Sequence, residues 1–366
     1  MRGPGVPFAV IRSLFPDVGI DLGTANTVIY ERQSGVLLSE PSVVAYDAKR
    51  GNKIVAVGRA AREMDGKAPD RIKVVHPLHA GTISDFKAAH TLVTTLLERA
   101  LNLKGAMHPR VIVGVPGCAT DIECKAIEEA VGQAGARKAV FVPQAMAAAV
   151  GAGLEVSQAR PSMVVDIGGG TTEVGMLALS GVVVLHSIKV GGESLDRAIA
   201  SCLRADHFQI GSLTAERVKI RLGYAGRPLG REPLRISGMD QVAGGPAGRS
   251  IPEEMIGEAL LESLDAISRA VRFVIEATPP DLTADLLETG IVLTGGGALL
   301  PGLAGFLGER TRVPCSVAPE PLLCVARGAG EILATPSLLE RVAPQADRLT
   351  RWYRSIRLGV KESYSP

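Results

Sequence analysis

Ser162-Met163-Val164-Val165-Asp166-Ile167-Gly168-Gly169-Gly170-Thr171-Thr172-Glu173-Val174 is the stretch from which the fold of this 366-residue chain is read. It opens as a short apolar run rich in β-branched residues, the pattern of a buried strand. The run ends on an aspartate, followed by three glycines and two threonines. A carboxylate at a strand end is poorly placed for a core. It suits a hydrated divalent cation, because Mg²⁺ keeps waters and takes few protein oxygens. Glycines allow turns closed to other residues and bring backbone N–H groups close to an anion. Thr171 and Thr172 add hydroxyl donors. Taken alone, a Gly-rich hairpin is as readily a plain turn as a phosphate loop.

The device occurs again near the N-terminus, in Val18-Gly19-Ile20-Asp21-Leu22-Gly23-Thr24-Ala25-Asn26-Thr27-Val28. Both copies read apolar strand, Asp, aliphatic residue, Gly, small or hydroxylic residues, then strand. That is the signature of an internal repeat. A third Gly-rich turn follows an apolar run in Gly290-Ile291-Val292-Leu293-Thr294-Gly295-Gly296-Gly297-Ala298. Two facing hairpins can hold a polyphosphate, with the third turn under base and sugar. The triplet is far more specific than any one member.

In this order and spacing the motifs resemble the actin, sugar-kinase and heat-shock-chaperone ATPase superfamily, and within it the MreB family of bacterial actin-like cell-shape proteins. Glu40-Pro41-Ser42-Val43-Val44, Met146-Ala147-Ala148-Ala149, Gly191-Gly192, Ala215-Glu216-Arg217, Leu293 to Leu299 and Cys324-Val325-Ala326-Arg327-Gly328 extend the resemblance. It runs from about Val18 to about Leu333. It implies an α/β, actin-like fold of two duplicated domains with mixed five-stranded sheets around a nucleotide cleft, each carrying a small subdomain. The implied division is 17–37, 78–151 and 329–345 for subdomain IA and 38–77 for IB. Residues 152–186 and 255–328 form IIA and 187–254 form IIB, with a leader at 1–16 and a basic tail at 346–366.

The resemblance also implies the ligand and its contacts. ATP and Mg²⁺ are the expected cofactors. Gly23, Thr24, Ala25 and Asn26 face the phosphates from one side, and Gly168, Gly169, Gly170, Thr171 and Thr172 from the other. Asp21 and Asp166 engage the metal through water, and Gly295, Gly296 and Gly297 support the adenosine. Glu216 and Lys219, one helical turn apart, flank the ribose and base; as residues alone they read equally as a salt-bridged surface pair. Gln144, Asp166 and Thr171 are the expected catalytic group. The family pattern has Glu-Pro where this chain has Gln144-Ala145, which looks like actin instead. A glutamate orients and partly deprotonates an attacking water, whereas a glutamine only orients it. Positioning and electrostatics carry most of phosphoryl transfer, so Gln144 is compatible with slow hydrolysis without establishing it.

Bulk properties set outer limits. A formal charge of +2, from 40 Lys+Arg and 38 Asp+Glu, argues against a global polyanion-binding surface, so no nucleic-acid partner is expected. Five cysteines form no C-x-x-C pair, which suggests neither a zinc site nor a thioredoxin-like motif and fits a reducing cytoplasm. His76 and His79 flank Pro77-Leu78 but lack a cluster of further metal ligands. No apolar run approaches the roughly 18 residues of a membrane span, and no signal-peptide pattern opens the chain.

Along the chain, helices are expected over Asp85–Leu103, from Asp121 with Thr120 as its cap, and from Pro252-Glu253-Glu254 through Ala277, where Pro279-Pro280 stops it. Leu234 to Ile251 reads as two strands around Gly244-Gly245-Pro246. Three segments are candidates for membrane contact, each with a plain alternative. Residues 1–16 place Phe8, Ile11 and Phe15 on one helical face, or form a leader. Leu101 to Met107 is an apolar loop or an ordinary connection. In the tail, Leu349, Trp352, Tyr353 and Ile356 share a helical face outside which lie Arg348, Arg351, Arg354 and Arg357, as in an interfacial helix.

The leading expectation is therefore an MreB-like cytoskeletal ATPase. It assembles with itself into filaments at the anionic inner face of the cell membrane, alongside membrane-bound cell-shape and wall-synthesis proteins. The alternative is a nucleotide-binding adaptor that neither polymerises nor hydrolyses appreciably. A small-molecule kinase lacks an identifiable catalytic carboxylate and pocket, and a chaperone ATPase lacks a substrate-binding domain after residue 335.

Overall fold

The computed structural model describes residues 17–101 and 109–345. The sequence readings on residues 1–16, on 102–107 of the apolar loop and on the 346–366 tail lie outside the described residues. The chain forms two compact units, one of residues up to Ser157 with those from Leu323 onward, the other Gln158–Leu322.

The first unit runs, in chain order, β1 (Asp17–Leu22), β2 (Asn26–Glu31), β3 (Gly35–Pro41), β4 (Val44–Asp47), β5 (Lys53–Val57), α1 (Arg59–Glu63), β6 (Ile72–Val75), β7 (Leu78–His79), β8 (Thr82–Ile83), α2 (Phe86–Leu101), β9 (Arg110–Val115), α3 (Asp121–Gln133), β10 (Lys138–Pro143) and α4 (Gln144–Gly151). Its main sheet has the order β10-β9-β1-β2-β3. The β1–β3 meander is antiparallel, and β9 and β10 add in parallel. Alternation does the sorting: Val18 and Ile20 of β1 join Val111 and Val113 of β9 in a core with Leu92, Leu96 and Ile127 from the helices.

The second unit runs β11 (Ser162–Ile167), β12 (Thr172–Ala178), β13 (Gly181–Ile188), α5 (Gly192–Ala205), β14 (Phe208–Gln209), α6 (Ser212–Leu222), β15 (Leu234–Asp240), β16 (Gly245–Ile251), α7 (Glu253–Ala277), α8 (Pro280–Thr289), β17 (Ile291–Thr294), a 3₁₀ turn (Gly296–Leu299), α9 (Leu303–Thr311) and β18 (Cys315–Val317). Its sheet order, β13-β12-β11-β17-β18, repeats the first: an antiparallel meander with two strands added in parallel. This is the duplicated α/β, actin-like architecture that the resemblance implies. Every residue of β11 is buried, as a strand covered on both faces must be. One face, Met163, Val165 and Ile167, joins a core with Leu260, Leu264, Ile267, Val271 and Val274 of α7.

Helix limits follow their local chemistry. The Asp85 carboxylate accepts from the Ala88 amide at 2.9 Å, so Asp85 caps α2 rather than belonging to it. Thr120 and Glu123 form a reciprocal capping box at α3. Helix α7 ends at Ala277 as expected, but Pro279-Pro280 does more than stop it. Pro280 is the first residue of α8, where its missing N–H costs nothing. From residue 324 the chain returns to the first unit as α10 (Cys324–Ala334), followed by α11 (Pro336–Gln345). Helices α10 and α4 touch backbone to backbone: a Cβ on Gly151 would collide with the Cys324 carbonyl, and one on Gly328 with that of Ala147. No single helix among the described residues is long and apolar enough to cross a membrane.

Candidate functional site

The two hairpins share a geometry. In the first unit the β1–β2 ladder ends at Leu22 opposite Thr27, and the Gly23 amide closes the tip on the Asn26 carbonyl at 3.1 Å. In the second the β11–β12 ladder ends at Ile167 opposite Thr172, and the Gly168 amide closes on Thr171 at 2.8 Å. Each tip is thus the four residues beginning two after the aspartate.

What ties the tips down also aims them. In the second unit the first two amides of α5 donate to the hairpin: Gly192 to the Gly168 carbonyl at 2.9 Å and Glu193 to the Gly169 carbonyl at 2.7 Å. Two donors that a helix start ordinarily leaves unpaired are satisfied in this way. A trans peptide holds its C=O and the following N–H antiparallel. With the Gly168 and Gly169 carbonyls drawn toward α5, the Gly169 and Gly170 amides point away from it. Successive amides pointing one way form a concave anion site. Gly191 makes the approach possible, since a Cβ there would lie 2.7 Å from the Gly168 oxygen and 2.8 Å from that of Gly169.

In the first unit the same task falls to Ser42. Its hydroxyl donates to the Gly23 carbonyl at 2.6 Å and its amide to the Ala25 carbonyl at 2.9 Å, while Thr27 Oγ1 lies 2.9 Å from Ser42 Oγ. By the same geometry the Thr24 and Asn26 amides turn away from Ser42. Thr24 Oγ1 accepts the Gly81 amide at 3.2 Å.

Both aspartates stand where the parallel strands end. Asp21 is half-buried and in register with Gly114 of β9; Asp166 is in register with Thr294 of β17. Ligands of open α/β sheets collect at these carboxyl ends. Asp166 is 3% exposed, and the Thr294 hydroxyl donates to its Oδ1 at 2.7 Å, which fixes the carboxylate's orientation. Among the described residues no group of three or more His, Cys, Asp or Glu could hold a metal ion. Asp21 and Asp166 each offer one carboxylate at a strand end, and a cation such as Mg²⁺ takes few protein oxygens and keeps its waters. His76, set aside as a metal ligand, lies 3.2 Å from the Asp65 carboxylate.

The third turn completes the second unit's site. Gly295 has φ 78°, and a Cβ there would collide with the Ile167 carbonyl; one on Gly297 would collide with the Ile167 side chain. The turn lies against the residue between Asp166 and Gly168, and the Gly295 amide is anchored on the Pro321 carbonyl at 2.9 Å.

The sequence profile of the MreB/Mbl protein family matches residues 15–341. The chain belongs to the MreB/Mbl family. The cell shape-determining protein MreB of Escherichia coli K12 is 43% identical over 322 residues, 87% of this chain and 93% of the relative. The cell shape-determining protein Mbl of Bacillus subtilis is 40% identical over 319 residues, 87% of this chain and 95% of its own length. Among solved structures, MreB5 of Spiroplasma citri bound to ADP superposes with a TM-score of 0.83 at 33% identity, covering 88% of this chain and 97% of that one. The MamK double helical filament, at 22% identity and a TM-score of 0.73 over 87% of this chain and 98% of that one, shares the fold.

Within this MreB/Mbl chain the expected site residues fall into two groups. Gly23 to Asn26, Asp21 and Gln144 belong to the first unit. Gln144 opens α4 directly after β10, and Gly114 of β9 lies between the two strands: a Cβ on it would be 3.9 Å from the Gln144 Cα. Asp166, Gly168 to Thr172, Gly295 to Gly297, Glu216 and Lys219 belong to the second unit. Thr171 is buried, and Thr172 donates its hydroxyl to the Val190 carbonyl at 2.7 Å. Glu216 and Lys219 share α6, but the Lys219 ammonium pairs with Asp196 of α5 at 2.9 Å. The surface-pair alternative for Lys219 gives way to this less exposed one. Sequence reading assigned no role to Ser42, Thr294, Gly191, Glu193 or Asp196. Ser42, Gly191 and Thr294 do lie in segments that carried the family resemblance.

Proposed function

We propose that this MreB/Mbl protein binds ATP·Mg²⁺ and uses it to assemble with itself into filaments on the anionic inner face of the cell membrane, where they organise wall synthesis and rod shape. The observation that carries the reading is the duplicated hairpin, whose tip carbonyls are tied back so that its amides turn outward in both units. Such amides bind phosphate at little reorganisation cost, because they are already oriented. Gly23 to Asn26 and Gly168 to Thr172 supply these donors, Asp21 and Asp166 hold the waters of the cation, and Gly295 to Gly297 support the adenosine. Mg²⁺ supplies neutralisation of phosphate charge. Gln144 orients the attacking water. The ADP and AMPPNP complexes of Spiroplasma citri MreB5, and the cell-shape names of the Escherichia coli and Bacillus subtilis relatives, support the reading.

The test is sedimentation of purified protein with ATP·Mg²⁺, ADP·Mg²⁺ or no nucleotide, with phosphate release followed in parallel. ATP-dependent pelleting and slow release are expected. Gln144-Ala145 favours a second reading, an adaptor that binds nucleotide without hydrolysis or assembly. Nucleotide binding without pelleting over a wide protein range would select it. Membrane attachment rests on the sequences of 1–16, 101–107 and 346–366, and liposome flotation of chains lacking either terminal segment tests the two ends.

A further inference from the structure

The Lys219 ammonium reaches two groups at once. It lies 3.0 Å from Asp196 Oδ2 and 2.9 Å from Oδ1, and it donates to the Gly192 carbonyl at 3.0 Å. Both side chains are largely buried, Lys219 16% and Asp196 19% exposed. The Gly192 carbonyl belongs to the same peptide as the Glu193 amide, which holds the Gly169 carbonyl at 2.7 Å. A cation on one end of a peptide polarises the N–H at its other end and strengthens the bond that N–H makes. Four groups are thus linked in series: Asp196 carboxylate, Lys219 ammonium, peptide 192–193 and the tip of the Gly168–Thr171 hairpin.

We infer that Asp196 is a positioning residue for the anion-binding hairpin: by holding Lys219 on the Gly192 carbonyl it fixes the peptide that aims the Gly169 and Gly170 amides at a nucleotide phosphate. The inference rests on the nucleotide-binding reading above and assigns Lys219 a strut's role rather than that of a direct ligand. A pH dependence follows from the surroundings. Burial pushes Asp196 up to about 6 against the opposing pull of Lys219, with Glu216 of α6 and Glu193 of α5 adding to the rise. Protonation removes the charge that anchors Lys219.

The test compares ATP·Mg²⁺ affinity of wild type, Asp196→Asn, Asp196→Glu, Lys219→Met and the double variant Asp196→Asn/Lys219→Met from pH 8 to pH 5. Asp196→Asn is expected to bind about tenfold more weakly at pH 8, in the ordinary range of coupling between sites. The ratio to wild type closes to about twofold at pH 5, where roughly a tenth of wild-type Asp196 stays ionised. Titration of the nucleotide cancels in that ratio. Asp196→Glu recovers part of the affinity, and the double variant is no weaker than Lys219→Met, because the pair acts as one unit.

Equal affinity of Asp196→Asn and wild type at pH 8, a loss that does not change with pH, or additive losses in the double variant would overturn the inference. Amide hydrogen exchange on the nucleotide-free proteins separates this from failure of the nucleotide reading. Faster exchange at Glu193 in Asp196→Asn is expected whether or not ATP binds, and unchanged exchange there refutes the strut. A wild type that binds no ATP·Mg²⁺ at any pH overturns both the nucleotide reading and the role in aiming amides at phosphate.

Discussion

Replacing Thr294 with valine tests whether Asp166 is a structurally held carboxylate. Thr294 is fully buried and Asp166 nearly so, and a 2.7 Å hydroxyl-to-carboxylate hydrogen bond joins them. Valine keeps the shape of threonine and removes only the donor. A hydrogen bond to a charged group contributes about 1.5–3 kcal/mol. The valine methyl returns under about 1 kcal/mol by its own burial. The net expectation is a loss of about 1.5–2.5 kcal/mol, read by urea denaturation at pH 7.5, with weaker ATP·Mg²⁺ binding because the carboxylate is no longer oriented. Thr294→Ser keeps the donor and sheds one methyl group, so it should cost about 1 kcal/mol. A Thr294→Val protein as stable as wild type, or a serine variant less stable than the valine one, would refute the reasoning.

Further outcomes follow from the same geometry. Gly191→Ala places a Cβ against two hairpin carbonyls; nucleotide titration should show at least about a tenfold loss, since misplacement near 1 Å is that costly in a preorganised site. Glu253 is 1% exposed and accepts the Leu229 and Arg231 amides, each at 3.0 Å; Glu253→Gln should cost about 2 kcal/mol and open residues 226–233 to limited proteolysis. Thr120→Ala removes the α3 capping box and should cost about 1 kcal/mol by the same denaturation assay. Burial raises Asp196 to about 6, so the folded chain holds that proton more tightly than the unfolded one. Its contribution to stability is complete below about pH 4 and is lost as pH rises through about 6, so wild type should lose up to about 3 kcal/mol relative to Asp196→Asn between pH 4 and pH 7.

The sheets and hairpins were legible because their signals are local. Val164-Val165-Asp166-Ile167-Gly168 and Ile20-Asp21-Leu22-Gly23 carry strand, turn and carboxylate in one short stretch, and the repeat between them announces the duplicated sheet. Helix α7 was legible for the same reason: Pro252 and Pro279 bracket a continuous apolar stripe. Helix α8 was missed because proline ends one helix and begins another by the same loss of an N–H. The supports of the hairpins were not legible, because their partners are distant in sequence. Thr294 meets Asp166 across 128 residues once β17 lies beside β11, and Ser42 meets Gly23 across 19. Lys219 shows how a local rule loses to tertiary contact. Helical spacing offers Glu216, but Asp196 supplies the ion pair once α5 and α6 pack together.

A price in stability at Asp196 is consistent with a functional role, since groups held for ligand binding are commonly not those that maximise folding free energy. The Asp196–Lys219 pair, the Gly191 approach and the Thr294 bond all lie at the hairpin that follows β11. Ser42 serves the one that follows β1.

The most direct measurement is electron microscopy of the purified chain with ATP·Mg²⁺ on anionic liposomes, with phosphate release recorded on the same sample and Gly191→Ala as the control. Filaments on lipid that require ATP·Mg²⁺ and disappear in Gly191→Ala are the predicted result. Nucleotide bound at full occupancy with no filaments at any protein concentration, or filaments indifferent to nucleotide and to Gly191→Ala, would contradict it.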